Sequence, residues 1–306
     1  MNHFSLIVYA AACTHICSGT NSSKKMETAT KHISIIGLGP MGIKIAQLYL
    51  QKGFQVTVFN RTIAKADQLV KEGAVLARSI KEAIAASPLS IVIVHDYAIA
   101  GELFSSVEGD NVLSGKTIVQ LTTGTSQEAR QSELWFTSKN ANYLDGAIQV
   151  APEQMSQPDT TILFSGNKTK YSEVEDQLKI LGGNLKYLGA KIGAAAALDT
   201  ATLSYIYGAA IGFFHGALIA ESENFDVREY GNIIAEIAPG MGDFLKHEGE
   251  VISSGDFKIS QSPLSISVGA TERILAMAML SGINSEFPQF AVNWLQKAKA
   301  AGYENE

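Results

Sequence analysis

From His32 onward, short β-branched runs alternate with longer stretches in which apolar residues recur every three or four positions. The runs His32–Ile36 (HISII), Gln55–Phe59 (QVTVF), Val75–Leu76, Leu89–Val94, Thr117–Leu121, Asn142–Ile148 and Thr160–Phe164 predict strands. The stretches Met41–Lys52, Ile63–Glu72, Ser79–Ala86, Ala98–Ser106 and Ser126–Lys139 predict helices. Strands apolar on both faces, alternating with helices, call for a parallel sheet covered by helices. The expected fold is an α/β Rossmann domain over 31–189, doubly wound around a mainly parallel sheet.

After Gly193 the rhythm changes. Ala194–Glu221 is an almost unbroken apolar stretch of about 28 residues without proline, interrupted by Asp199, Tyr205, Tyr207 and His215. A helix apolar all round is buried, in protein or in a membrane. With no second candidate span, the reading is a helix buried against other helices and a partner subunit. Glu229–Ala301 has helical periods with expected breaks at Pro239–Gly240, Ser253–Gly255, Pro263 and Pro288. The long helix thus joins the Rossmann domain to an all-α domain for substrate binding and dimerisation, together 190–306.

Residues 1–30 stand apart as a disordered tail or leader. Phe4–Cys13 is apolar but too short to span a bilayer, and no basic residue precedes it. Cys13, His15 and Cys17 lie close together, yet three ligands in such a tail make a weak metal site. No histidine–carboxylate grouping elsewhere has metal spacing, so no metal is expected. The body of the chain is free of cysteine, which fits a reducing, cytoplasmic compartment. The 306 residues carry a net charge of −6, which leaves no basic footprint for nucleic acid or an anionic membrane.

Gly37-Leu38-Gly39-Pro40-Met41-Gly42 follows a predicted strand and opens a predicted helix, the setting a dinucleotide fingerprint requires. Its glycines serve the tight turn, the approach of backbone to pyrophosphate, and close helix–strand packing. The second strand ends in Asn60-Arg61-Thr62, with Lys65 one turn on, where an NAD-binding chain would carry a carboxylate for the ribose hydroxyl. Arg61 can stack on adenine and bind a 2′-phosphate, with Thr62 and Lys65 adding a hydroxyl and a charge. Cations at a helix start oppose its dipole unless an anion binds. The cofactor read from these residues is NADPH. His95, at the carboxyl edge of the fourth strand, and Thr123, after the fifth, are added to the cofactor set.

With GLGPMG and NRT, the stretch from Lys31 to Tyr303 resembles the β-hydroxyacid dehydrogenase superfamily, and within it the imine reductases and reductive aminases. Asp199 stands where the acid dehydrogenases carry lysine, and no asparagine pair follows. Asp145-Gly-Ala-Ile-Gln-Val-Ala-Pro152 replaces their substrate-carboxylate loop. Both replacements match the imine-reductase pattern, as do Phe213-Phe-His215-Gly-Ala217 and Gly124-Thr125. Thr123 departs from it, standing where reductive aminases often have an asparagine that contacts the amine.

The resemblance implies NADPH-dependent reduction of imines or iminium ions to amines, extending to reductive amination of a ketone with an amine. It also implies a homodimer whose subunits share active sites. Asp199 and Tyr207 are the implied catalytic pair, eight residues apart and roughly 12 Å along one helix. A carboxylate suits this chemistry because it stabilises an iminium cation, and burial would raise its pKa toward proton donation. Ile237, Met241, Phe244, Ile266 and Thr123 are candidates for the substrate pocket, with Trp294 beside them. Two other readings stay open: a β-hydroxyacid dehydrogenase-like oxidoreductase acting on a small hydroxy acid, and a non-catalytic NADPH-binding protein. An anion at Asp199 would repel a carboxylate substrate, which disfavours the first.

Overall fold

A computed structural model describes residues 31–257 and 262–305; the expectations for residues 1–30, including the cysteine–histidine cluster, lie outside the described residues. The strands are β1 (His32–Ile36), β2 (Gln55–Phe59), β3 (Val75–Leu76), β4 (Leu89–Val92), β5 (Thr117–Gln120), β6 (Asn142–Ile148), β7 (Thr161–Gly166) and β8 (Asn184–Tyr187). They form one sheet in the order β3-β2-β1-β4-β5-β6-β7-β8. Every neighbouring pair is parallel except β6 and β7, which run antiparallel with Asp145 opposite Ser165. The chain order reverses between β1 and β4, and the crevice at such a reversal is where open α/β sheets bind ligands.

Helices α1 (Pro40–Gln51), α2 (Asp67–Lys71) and α6 (Lys168–Leu178) cover one face of the sheet. Their core is built from Ile33, Ile35, Ile45, Tyr49, Val58, Leu69 and Phe164, all fully or almost fully buried. Helices α3 (Ile80–Ala85), α4 (Tyr97–Ser105) and α5 (Ser126–Ser138) cover the other, over Ile36, Val92, Ile118 and Tyr143. Then follow α7 (Ala194–Ser222), α8 (Val227–Ser254), α9 (Leu264–Leu280) and α10 (Glu286–Ala298).

The structure departs from the sequence reading in several places. The second helix is split into a 3-10 turn, Ile63–Ala66, and α2. β8 and α6 are additional elements. β8 is a part-exposed edge strand of sequence NLKY, and α6 buries only Tyr171, Val174 and Leu178. Pro239–Gly240 is no break, because α8 runs through it. A proline inside a helix frees a carbonyl one turn earlier, and α8 has no buried residue, so that carbonyl can be hydrated. Pro288 lies in the first turn of α10, where no intrahelical N–H bond is needed.

The long helix is not buried within one chain. Of the 29 residues of α7, only Ala195, Ala196, Asp199 and His215 are buried, while Ile206, Ile211, Phe214 and Leu218 are open to solvent. Its first turn rests on the sheet and His215 packs toward Phe287 of α10, with ring centroids 5.6 Å apart. Phe213 stacks on Tyr230 of α8 with ring centroids 5.1 Å apart, while Ile206, Ile211, Phe214 and Leu218 stay exposed. By length and composition α7 could cross a bilayer.

Candidate active site

A cavity of about 460 Å³ opens at the β1/β4 reversal. Gly37, Gly39, Pro40, Met41 and Gly42 form its floor, and Asn60, Arg61, Thr62 and Lys65 its far wall. Gly37 has φ +102°, and a Cβ there would drive into the Ile93 carbonyl; a Cβ on Gly42 would strike the carbonyl of Gly37. Gly39 has open space around it. It N-caps α1 without a side-chain hydrogen bond, so the free N–H groups of the first turn are available to an anion. Neither Arg61 nor Lys65 has an ion-pair partner among the described residues. An unfilled glycine cradle at a helix N-terminus, flanked by two unpaired cations, fits a dinucleotide carrying a 2′-phosphate.

Two predicted cofactor residues have structural work at this site. Asn60 accepts from the Leu38 N–H at 3.0 Å and donates to the Thr62 carbonyl at 2.9 Å, tying the two cofactor loops together. The Leu38 side chain is buried in the core, so only its backbone borders the loop. His95 lines the cavity, with Phe59, Ile93, Val94, Ile99, Glu102 and Leu103 around it. Sequence reasoning misses the α4 residues Ile99, Glu102 and Leu103. Their one signal is helical spacing beside the fourth strand.

The three residues that end the fourth strand region have three different fates. His95 faces the cavity, Asp96 caps α4 by accepting from the Ile99 N–H at 2.7 Å, and Tyr97 turns inward. After β5, Thr123 is exposed and does not line the cofactor cavity. The loop it begins is closed by a capping box between Thr125 and Glu128.

Asp199 lies in the second turn of α7 and is 5% exposed. Gln149, just past the end of β6, donates from Nε2 to its Oδ1 at 2.7 Å. Burial pushes the Asp199 carboxyl above the ordinary range, and the Gln149 hydrogen bond works against that shift. Sequence alone does not single out Gln149 as an Asp199 partner. The contact spans 50 residues, and no local pattern marks it.

Tyr207 is 64% exposed, farther along the same helix. Ile237, Met241, Phe244 and Ile266 are 46–57% exposed, and Trp294 is likewise exposed. α8 packs chiefly on α7. Among the described residues no grouping of His, Cys, Asp or Glu could hold a metal.

Residues 32–189 match the profile of the NAD binding domain of 6-phosphogluconate dehydrogenase, and 191–306 that of the NADPH-dependent reductive aminase-like C-terminal domain. The chain is 32% identical over 262 residues to the NADPH-dependent reductive aminase of Aspergillus oryzae, covering 84% of this chain and 88% of that one. It belongs to the imine reductase and reductive aminase family. Solved members of the family superpose closely. A reductive aminase from Aspergillus terreus, in complex with NADPH4, cyclohexanone and allyl amine, is 34% identical with a TM-score of 0.84, over 91% of this chain and 96% of that one. An imine reductase from Myxococcus stipitatus, in complex with NADP+, is 28% identical with a TM-score of 0.85, over 90% and 96%.

Proposed function

We propose that this family member reduces imines and iminium ions to amines with NADPH, and that it forms such imines from a ketone and an amine. The observation that carries the reading is Asp199: a nearly buried carboxylate at the start of the helix joining the cofactor half to the helical half. Bound NADPH supplies hydride. The free N–H groups of α1 would hold the phosphates of NADPH, and Arg61, Thr62 and Lys65 its 2′-phosphate.

Asp199 faces the substrate nitrogen. Gln149 engages Oδ1, which leaves Oδ2 for the substrate. With its pKa raised, the group can hold a proton for a neutral imine; ionised, it stabilises an iminium cation across a short, poorly solvated gap. Tyr207 adds a phenol from two turns farther on. Thr123 borders the site after β5, with a hydroxyl that can donate or accept.

The working form is a homodimer. The exposed apolar residues of α7 and α8 supply the matching surface, and the second subunit closes the pocket that Ile237, Met241, Phe244 and Ile266 begin. The functional division falls at 189/190. A body free of cysteine fits work in the cytoplasm.

The test follows the loss of NADPH absorbance with 1-pyrroline, with cyclohexanone plus allyl amine, and with cyclohexanone alone. Turnover of either nitrogen-containing mixture is expected. Asp199→Ala should lower it about 100- to 1000-fold, the range seen when an electrostatic stabiliser is removed, with NADPH affinity within about twofold. Undiminished turnover in the variant would remove Asp199 from the chemistry. Turnover of ketone alone would make the protein a carbonyl reductase.

A further inference from the structure

The first turn of α7 has no side-chain cap of its own. Gly193 precedes it in the left-handed region at φ +85°, and its carbonyl accepts from Ser126 Oγ at 3.0 Å. The open N–H groups are met from the sheet instead. Ala195 N–H donates to Ser165 Oγ of β7 at 3.2 Å, and Ala196 N–H to Asp145 Oδ2 of β6 at 3.3 Å. Asp145 is 1% exposed, and its other oxygen accepts from Tyr97 Oη of α4 at 2.8 Å. Tyr97 reaches this point only because residue 124 is glycine: a Cβ there would overlap the tyrosine ring.

Asp145 and Gln149 are four residues apart along β6 and its extension, so the extended backbone sends both side chains to the same face. One grips the N-terminus of α7 and the other grips Asp199, a single turn farther on. We infer that Asp145 is a positioning residue for the reduction: as an anion at the positive end of α7, locked by Tyr97, it seats the helix turn that presents Asp199. This rests on Asp199 acting at the substrate nitrogen.

The titratable groups around Asp145 are Tyr97 from α4, Tyr143 from its own strand, and Asp199 from α7, with Glu133 of α5 facing Tyr143. Burial raises both phenols above their ordinary range, so they stay protonated, and Tyr97 donates to Asp145. Burial also pushes Asp145 up to about 6, opposed by the Tyr97 and Ala196 hydrogen bonds and aided by the charge on Asp199. Neutral asparagine therefore mimics the protonated state of Asp145.

The test compares kcat of Asp145→Asn with wild type from about pH 5 to about pH 8, using cyclohexanone plus allyl amine and 1-pyrroline. The two should converge below about pH 6 and separate above it, to about tenfold, the loss typical when a group orienting a reactive residue is removed. KM and NADPH affinity should move little. Tyr97→Phe removes one donor, raises the Asp145 pKa and shifts the separation to higher pH; it carries the test where Asp145→Asn fails to fold. Amide exchange at Ala196 should quicken in both variants, a readout that needs no turnover. A kcat ratio independent of pH, with unchanged exchange at Ala196, would overturn the positioning role. Asp199→Asn is the control: if it keeps full turnover, the reading of Asp199 fails, whereas a crippled Asp199→Asn beside a flat Asp145→Asn ratio sinks only the inference about Asp145.

Discussion

The two halves of this molecule solve burial in opposite ways. The sheet and its covering helices enclose a continuous apolar core, in which Ile33, Ile35, Tyr49, Ile91 and Val119 have no exposed surface, although Val75 and Leu134 stay exposed at its edges. In the helical half α8 buries nothing, and α7 buries four residues of 29. A helix that exposes Ile206, Ile211 and Phe214 on several sides leaves a large apolar surface uncovered in one chain, the surface the proposed homodimer would cover. On the proposed reading, the cofactor site is complete in one chain and the substrate site is completed by a second.

The most direct test of that separation is to disable the cofactor half alone. Replacing Arg61 and Lys65 together with Ala should weaken NADPH by about 3 kcal/mol or more, since hydrogen bonds to charged groups contribute roughly 1.5–3 kcal/mol each. NADH binding should change little. Titration of cofactor fluorescence measures both, and an equal loss for the two cofactors would contradict the 2′-phosphate role.

A second test sits on the seam between the halves. Asp145 has a folded-state pKa of about 6 against an ordinary value of 3.8. For a carboxyl shifted upward, the folded chain holds the proton longer than the unfolded chain, so stability falls as pH rises from about 4 through about 6. That gap between the folded and unfolded carboxyl corresponds to about 3 kcal/mol. Asp145→Asn removes this titration, so the unfolding free energies of wild type and variant, from urea titrations between about pH 4 and about pH 7, should diverge by up to that amount. The wild type should lose ground as pH rises. Parallel curves would show that Asp145 does not titrate in this window.

The smallest effect is expected in the helical half. Ile211→Glu places a charge on the exposed face of α7 and should weaken self-association by about 2 kcal/mol, the scale of an interface hot spot. Sedimentation should then show more monomer, with NADPH affinity retained and turnover reduced. An undisturbed dimer would mean that this face of α7 lies outside the interface.

The same division explains what could be read from residues alone. β1, β2, β3 and β6 were legible to the residue, because their apolar runs end in glycine, asparagine or polar turns. The glycine fingerprint and the basic end of β2 were legible for a related reason: their chemistry is local. β8 and α6 were hidden by polarity, each burying too narrow a stripe to stand out. Pro239 misled because the rule that proline ends a helix assumes a helix that cannot reach water. The grip on Asp199 was invisible, since Gln149, Asp145 and Tyr97 meet across about 50 residues of chain. A charge in the middle of a central strand, as at Asp145, was the one available clue. Buried carboxylates in such positions need partners.

A carboxylate clamped from the sheet is indifferent to what the outer helices carry. Asp199 takes its orientation from Gln149 and from a helix turn anchored on β6 and β7, whereas Ile237, Met241 and Phe244 of α8 are exposed. Sequence diversity can accumulate on α8 without disturbing the reactive group. The architecture therefore separates innovation from chemistry, and libraries randomised on that helix should yield shifted amine and ketone preferences at a high rate of retained activity.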